Sequence, residues 1–97
     1  MAAVPMAIDR LVEQLAGKPQ VARVWLFGSR ARGDARERSD VDLAVEAPAA
    51  DMRQWLEVCD LVDDADTLLP IDLIRMEEAP QALQQQVHAE GVILYER

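Results

Sequence analysis

The fold is decided by residues 23–46, which read RVWLFGSRARGDARERSDVDLAVE. The apolar run at the start of this stretch supplies side chains for both faces of a sheet, which is typical of a central strand. That strand ends at Gly28, where glycine permits a close approach between the backbone and a ligand. From Asp40 to Glu46 acidic and apolar residues alternate with few exceptions, so a second strand is predicted with one apolar and one mainly acidic face.

Helical and strand patterns continue on both sides of this stretch. Helices are predicted over residues 5–16, 51–63 and 80–90, and further strands over residues 69–76 and 92–95. The apolar residues of the first helix follow the i, i+3, i+4, i+7 spacing of one buried face. The whole chain, residues 1–97, is therefore predicted to be a single α/β domain with the order α-β-β-α-β-α-β.

The second predicted helix has its own start signal and apolar face. Asp51 and Gln54 have the spacing of a capping box. The residues predicted to share its apolar face are Met52, Trp55, Leu56, Cys59 and Val62. Three leucines, Leu61, Leu68 and Leu69, lie outside the apolar stripes, which leaves open an interface or an extended core.

Composition excludes several classes of protein. The 97 residues are 51% hydrophobic and 29% charged, without an apolar run long enough to span a membrane. The net charge of −8 argues against general binding of nucleic acid, including an RNA-tailing activity. The single cysteine, Cys59, cannot form an internal disulfide, so a reducing, cytoplasmic setting is expected.

Positive charge is concentrated in one short segment of this acidic chain. The arginines of residues 23–38 are Arg23, Arg30, Arg32, Arg36 and Arg38. Such an island indicates a local anion site rather than an extended basic groove. We interpret four of the polar residues as surface residues: Arg23, Arg36, Arg38 and the single histidine, His88. We interpret Cys59 and Trp55 as packing residues.

Three aspartates carry the most specific chemical signal. Asp40 and Asp42 are separated by one residue, so their side chains lie on the same face of a strand. Asp72 adds a third carboxylate on a later predicted strand. Because acids within a sheet pattern are costly without a partner, the three together predict a site for one or two Mg²⁺ ions.

The turn at Gly28-Ser29 predicts a second half of the same site. Ser29 is predicted to cap a short helical turn through residues 30–32 that Gly33 closes. Backbone N–H groups at such a turn bind phosphate, and the serine hydroxyl adds a donor. Arg30 and Arg32 either contact the phosphate or keep the turn solvated. An anion cradle beside a carboxylate cluster describes a site for a Mg²⁺-nucleoside triphosphate.

These residues resemble a known family, the minimal nucleotidyltransferases of the DNA polymerase β superfamily. The resemblance rests on Gly28-Ser29, ten further residues, then Asp-x-Asp at Asp40 to Asp42, with Asp72 matching the third acid of the family. It covers most of the chain. It implies an α/β fold with a small mixed sheet flanked by helices.

The resemblance also implies roles for individual residues. Gly28 and Ser29 would hold the triphosphate of ATP, and Asp40 and Asp42 would bind Mg²⁺. Asp72 would complete the metal site and help to deprotonate the attacking hydroxyl. The reaction of the family is attack of a hydroxyl on the α-phosphate with release of pyrophosphate.

Proteins of this kind pair with a helical HEPN-domain toxin, so the resemblance implies an antitoxin in a hetero-oligomer. It would transfer AMP from ATP to a tyrosine of that toxin, in a prokaryotic cytoplasm. One alternative is an antitoxin or assembly subunit that acts by binding alone, with a vestigial nucleotide site. Another is a small-molecule enzyme of the aminoglycoside nucleotidyltransferase kind, which would need a helical substrate domain that is not expected here.

Overall fold

The computed structural model of the protein describes residues 5–36 and 39–97. Arg38, interpreted as a surface residue, lies outside the described residues. The helices and strands are α1 (Met6–Ala16), β1 (Arg23–Phe27), α2 (Ser29–Arg32), β2 (Val41–Glu46), α3 (Met52–Asp63), β3 (Ile71–Arg75), a 3₁₀ turn (Met76–Glu78), α4 (Gln81–Glu90) and β4 (Val92–Glu96). This order confirms the predicted α/β fold and adds α2 as a separate short helix.

The start of α2 differs from the prediction by one residue. Gly28, not Ser29, is the N-cap, with φ 75° and ψ −155°, and no side chain caps the helix. Only glycine adopts this backbone conformation at low cost. The chain therefore turns sharply at Gly28, and Ser29 already belongs to the helix. Gly33 ends α2 in the left-handed conformation, as the sequence predicts.

The sheet in the described part of the chain has four strands in the order β3-β2-β1-β4. The strand β1 pairs antiparallel with both β2 and β4, whereas β2 and β3 are parallel. This mixed sheet confirms the expected fold class. A parallel pair needs a long crossover, and α3 supplies it between β2 and β3.

The two faces of the sheet are covered differently. On one face, α1 and α3 pack on alternate residues of β1 and β2, among them Val24, Leu26, Leu43 and Val45, all fully buried. On the other face a smaller cluster joins Phe27, Ala44, Met76 and Val87, with α4 lying over it. The remaining part of that second face, toward the end of β1 at Phe27, carries the aspartates.

The helix α3 confirms the predicted cap but corrects the predicted buried face. Met52 and Leu56 were expected to be packed, yet they are 71% and 53% exposed. The α3 residues that contact the core are Trp55, Val58, Leu61 and Val62. They recur at spacings of three and four residues, so they form one stripe along the helix, and Met52 and Leu56 fall on its flank.

The three leucines outside the predicted apolar stripes differ in their burial. Leu61 and Leu69 pack against the main core, whereas Leu68 is fully exposed. Cys59 is half-buried and belongs to neither core cluster, and burial raises the pKa of its thiol, which disfavours the reactive thiolate. No helix within residues 5–36 and 39–97 is long and apolar enough to cross a membrane.

Candidate active site

The candidate site lies at the edge of the sheet where β1 ends and its neighbours β2 and β3 begin. Asp42 is the antiparallel partner of Phe27, the last residue of β1. Asp42 is also the parallel partner of Asp72 on β3. Paired residues of neighbouring strands project from the same face. The register therefore brings two of the three predicted aspartates together, directly beside the turn at Gly28.

The carboxylates of Asp42 and Asp72 repel each other across the two strands. Burial, followed by the charge of Asp72 and a hydrogen-bond contact with it, raises the pKa of the Asp42 carboxyl above its ordinary value. Asp40 raises this pKa further, and Arg32 lowers it. Two acids held this close lose part of their solvation and gain no opposite charge from each other. Such a pair favours binding of a cation.

Asp40 lies at the edge of this pair. It is exposed and precedes Val41, the first residue of β2, so sheet pairing does not hold its side chain. Its charge nevertheless acts on Asp42. Among residues 5–36 and 39–97, no three acidic, histidine or cysteine side chains are grouped closely enough to hold a metal ion. The convergence of all three aspartates on a metal therefore remains a prediction.

The chemistry of the donors nevertheless fits a hard divalent cation. Asp40, Asp42 and Asp72 offer carboxylate oxygens, the ligands that Mg²⁺ prefers. Burial, followed by the charges of Asp72 and Asp40, raises the pKa of Asp42, so a bound cation would relieve the cost of its negative charge.

Gly28 is in close contact with the Asp42 side chain. A Cβ atom built on Gly28 would clash with Oδ2 of Asp42 and would lie 3.1 Å from its Cγ. Glycine is therefore required here twice, for its positive φ and for the space over its Cα. This contact places the turn between β1 and α2 within reach of anything bound to Asp42.

Ser29 and Arg32 lie at the two ends of α2. Ser29 begins the helix, where the first N–H groups have no acceptor within the helix. Arg32 forms exposed ion pairs with Asp34 at 3.2 Å and Glu90 at 3.5 Å. Because exposed ion pairs contribute little to stability, this guanidinium can exchange them for a phosphate at low cost. Its charge lowers the pKa of Asp42.

Arg30 is placed differently from Arg32. It is 6% exposed, and its Nε and Nη2 donate hydrogen bonds of 3.1 and 2.8 Å to the carbonyl oxygen of Ser39. The sequence pattern allowed a phosphate contact for Arg30, but in the structure this guanidinium contacts the protein's own backbone. The pattern carried no signal for this contact, since it joins residues nine positions apart across a polar connection.

Two further arginines of the basic segment, Arg23 and Arg36, lie at the protein surface, as does the histidine. Arg36 is exposed, and Arg23 forms ion pairs with Glu46 at 2.8 Å and Glu96 at 2.6 Å. His88 is exposed and meets the ring of Trp25 edge-on, with ring centroids 5.4 Å apart. These placements agree with their interpretation as surface residues.

Comparison with protein families assigns the class of protein. A family model described as Polymerase beta, Nucleotidyltransferase matches residues 9–97. The chain therefore belongs to the polymerase beta nucleotidyltransferase family, and the resemblance seen in its motifs is confirmed. No curated protein sequence matches the chain.

The chain is also similar to several solved structures, among them those of minimal nucleotidyltransferases. One similar structure, of a protein assigned as a minimal nucleotidyltransferase, is 30% identical with a TM-score of 0.60, over 89% of this chain and 88% of that one. A second contains the tri-AMPylated Shewanella oneidensis HEPN toxin in complex with an MNT antitoxin. It is 26% identical with a TM-score of 0.62, over 92% and 70%.

A third similar structure is that of a toxin-antitoxin with AMP-PNP. It is 25% identical, has a TM-score of 0.65, and is matched over 92% of this chain and 73% of that one. The chain thus resembles antitoxins of the HEPN and MNT pairs in fold, over 70–73% of the length of those proteins.

Proposed function

We propose that this protein is an antitoxin that transfers AMP from ATP to a hydroxyl of a partner protein, a tyrosine of a helical HEPN-type toxin. The observation that carries the proposal is the close contact between Gly28, at the exit of β1, and Asp42, the strand partner of Asp72. This contact supports a phosphate site next to a site for a divalent cation. The similarity to an MNT antitoxin in complex with an AMPylated HEPN toxin supports the choice of acceptor.

Asp40, Asp42 and Asp72 are the residues proposed to hold one or two Mg²⁺ ions. Bound Mg²⁺ would neutralise the phosphate oxygens and stabilise the charge that develops during transfer. The parallel register of Asp42 and Asp72 holds two of these ligands on rigid strands. Positioning and charge neutralisation are what a protein mainly contributes to such a transfer.

Gly28, Ser29 and Arg32 are the residues proposed to hold the triphosphate. The missing side chain of Gly28 lets the backbone approach the phosphate oxygens, and the Ser29 hydroxyl adds a donor at the start of α2. Arg32 would leave its exposed partners, Asp34 and Glu90, for the phosphate. Arg30 was predicted with them, but its guanidinium donates to the carbonyl oxygen of Ser39.

The proposed reaction is an in-line displacement at the α-phosphorus of ATP. A bond forms between the acceptor oxygen and the α-phosphorus, while the bond from that phosphorus to the bridging oxygen breaks and pyrophosphate leaves. The proton of the hydroxyl passes to the Asp72 carboxylate, which is exposed at the rim of the site and can release it to water. Tyrosine has an ordinary pKa of about 10, so it needs such help at neutral pH.

Intact mass measurement tests this function. The protein is incubated with the helical protein encoded next to it, ATP and Mg²⁺, and the partner is weighed. We expect the partner to gain one or more AMP units, and we expect no gain with Asp42→Asn. Asp60→Asn on α3 is the matched control, since Asp60 is exposed on a helix that covers the opposite face of the sheet.

The same experiment separates the competing functions. If the wild-type protein neutralises the partner while adding no AMP, the protein acts by binding alone. Calorimetry tests the metal requirement separately, because three carboxylates without a cation would repel a bare triphosphate. Equal affinity for ATP in Mg²⁺ and in EDTA would contradict the proposed metal site.

A further inference from the structure

Arg30 is a buried charge in a short surface helix. Arginine is rarely buried unless it is paired, because an unpaired buried charge costs much free energy. At 6% exposure, the guanidinium of Arg30 uses two N–H groups on a single acceptor, the Ser39 carbonyl oxygen. The contact therefore ties α2 to the residue that immediately precedes Asp40.

Ser39 is held by its other polar groups as well. Its N–H donates to the carbonyl oxygen of Arg36 at 3.0 Å, and its Oγ accepts from the N–H of Arg36 at 2.8 Å. On the other side of Asp40, the N–H of Val41 donates to the carbonyl oxygen of Pro70 at 2.9 Å. The backbone is thus fixed on both sides of an exposed aspartate that lies outside the β2 ladder.

We propose that Arg30 is a positioning residue for Asp40, holding the Ser39 backbone so that the Asp40 carboxylate stands at the rim of the Asp42–Asp72 pair and can bind the divalent cation there. This inference rests on the proposed function. Asp42 and Asp72 are placed by strand register, whereas Asp40 has no such support. The planar fork of Arg30 supplies a substitute, since it fixes the carbonyl in both distance and direction.

This role separates Arg30 from Arg32. Arg32 is exposed and its charge acts on Asp42, so its loss should weaken binding of ATP. Arg30 donates from Nε and Nη2 to a backbone carbonyl oxygen, so its loss should weaken binding of the metal. Groups that orient metal ligands without touching the metal typically change metal affinity by about 10–100-fold.

Calorimetric titration with Mn²⁺ alone tests the inference without requiring catalysis. The proteins compared are wild type, Arg30→Lys, Arg30→Gln, Asp42→Asn and the control Arg10→Lys, at an exposed position of α1. Lysine keeps the positive charge but lacks the fork, so it separates geometry from charge. We expect Arg30→Lys and Arg30→Gln to weaken Mn²⁺ binding by about tenfold or more, and Arg10→Lys to bind like wild type.

A kinetic readout complements the titration. With Arg30→Lys, excess Mn²⁺ should restore the rate of AMP transfer while KM for ATP stays that of wild type. A raised KM for ATP that excess metal does not correct would overturn the inference and assign Arg30 to phosphate binding.

The remaining outcomes distinguish the inference from the function on which it rests. Wild-type affinity for Mn²⁺ in both Arg30 variants, with loss in Asp42→Asn, overturns the inference and leaves the metal site intact. No Mn²⁺ binding by the wild type overturns both. Loss of a cooperative thermal melt in both Arg30 variants would also overturn it, since the guanidinium would then support the fold as a whole.

Discussion

The two ends of β2 carry carboxylates on the same face of the sheet in opposite surroundings. Glu46 accepts hydrogen bonds from the guanidinium of Arg23 at 2.8 Å and from the indole N–H of Trp25 at 2.9 Å. Asp42, four residues earlier on the same strand, faces Asp72. The protein itself supplies hydrogen-bond donors to the Glu46 carboxylate, whereas the Asp42 carboxylate lies beside a second negative charge.

This difference shows which acid belongs to the fold and which to the site. Glu46 and Asp42 share a strand, a face and a carboxylate group, so none of these features can distinguish them. The side chains that surround each carboxylate distinguish them. A carboxylate neutralised within the chain stabilises the structure, whereas one whose pKa is raised by burial and by a second acid favours binding of an external cation.

The strongest test of this comparison is the substitution Asp42→Asn. We expect the rate of AMP transfer to fall by more than about 100-fold, the upper end of the loss for a residue that only supports a metal ligand. We expect the melting temperature to stay the same or rise, because the amide removes the repulsion from Asp72. Thermal denaturation followed by circular dichroism, alongside the transfer assay, measures both.

The sign of the stability effect follows from the pKa of Asp42. A carboxyl whose pKa is raised in the folded state destabilises the fold at pH values above that pKa, and the penalty disappears as the pH falls through it. The gain from Asp42→Asn should therefore be present at pH 7 and vanish in acid. A lower melting temperature at pH 7 would mean that Asp42 is structural, like Glu46.

The second test compares the two glycines at the ends of α2. Gly28→Ala should reduce AMP transfer by about 100-fold, because the new Cβ displaces the Asp42 carboxylate and small misplacements of catalytic groups are that costly. Gly33→Ala is the matched control. Gly33 also has a positive φ, of 83°, but its Cβ would have no heavy atom within 4 Å.

The two alanine variants should therefore differ in activity more than in stability. Both substitutions strain the backbone, by about 1–2 kcal/mol for the left-handed conformation of Gly33 and up to about 3 kcal/mol for the glycine-specific conformation of Gly28. If Gly33→Ala loses as much activity as Gly28→Ala at equal melting temperature, the contact with Asp42 is not the reason for glycine at position 28.

The third test is the substitution Ser29→Ala. We expect turnover to fall by about tenfold, which is the loss of one hydrogen bond to a charged group. The melting temperature should change little, because the N-cap of α2 is Gly28 and the Ser29 side chain caps nothing. The variant Ser29→Thr keeps the hydroxyl and should retain most of the turnover. A collapse of the melt in Ser29→Ala would make Ser29 a structural residue.

The features of the candidate site that depend on residues close together in the sequence could be predicted from it. The alternation from Asp40 to Glu46 determines which side chains share a face, and a sharp turn at Gly28 follows from glycine at the end of a strand. What could not be predicted depends on contacts between distant residues. The burial of Arg30 requires the Ser39 carbonyl, and the exposure of Leu56 depends on how α3 rotates against the sheet.

The smallest effect on activity is expected from Glu46→Gln, the counterpart of the change at Asp42. The amide oxygen can still accept from Trp25, but the ion pair with Arg23 is lost, and the Glu46 side chain is only 12% exposed. We expect the melting temperature to fall by a few degrees and AMP transfer to keep its wild-type rate.

Glu96→Gln is the matched control. It removes the other acid that pairs with Arg23, and because the Glu96 side chain is 51% exposed, its loss should cost less stability. A loss of AMP transfer in Glu46→Gln without a change in melting temperature would place Glu46 in the site and remove the distinction between the two ends of β2.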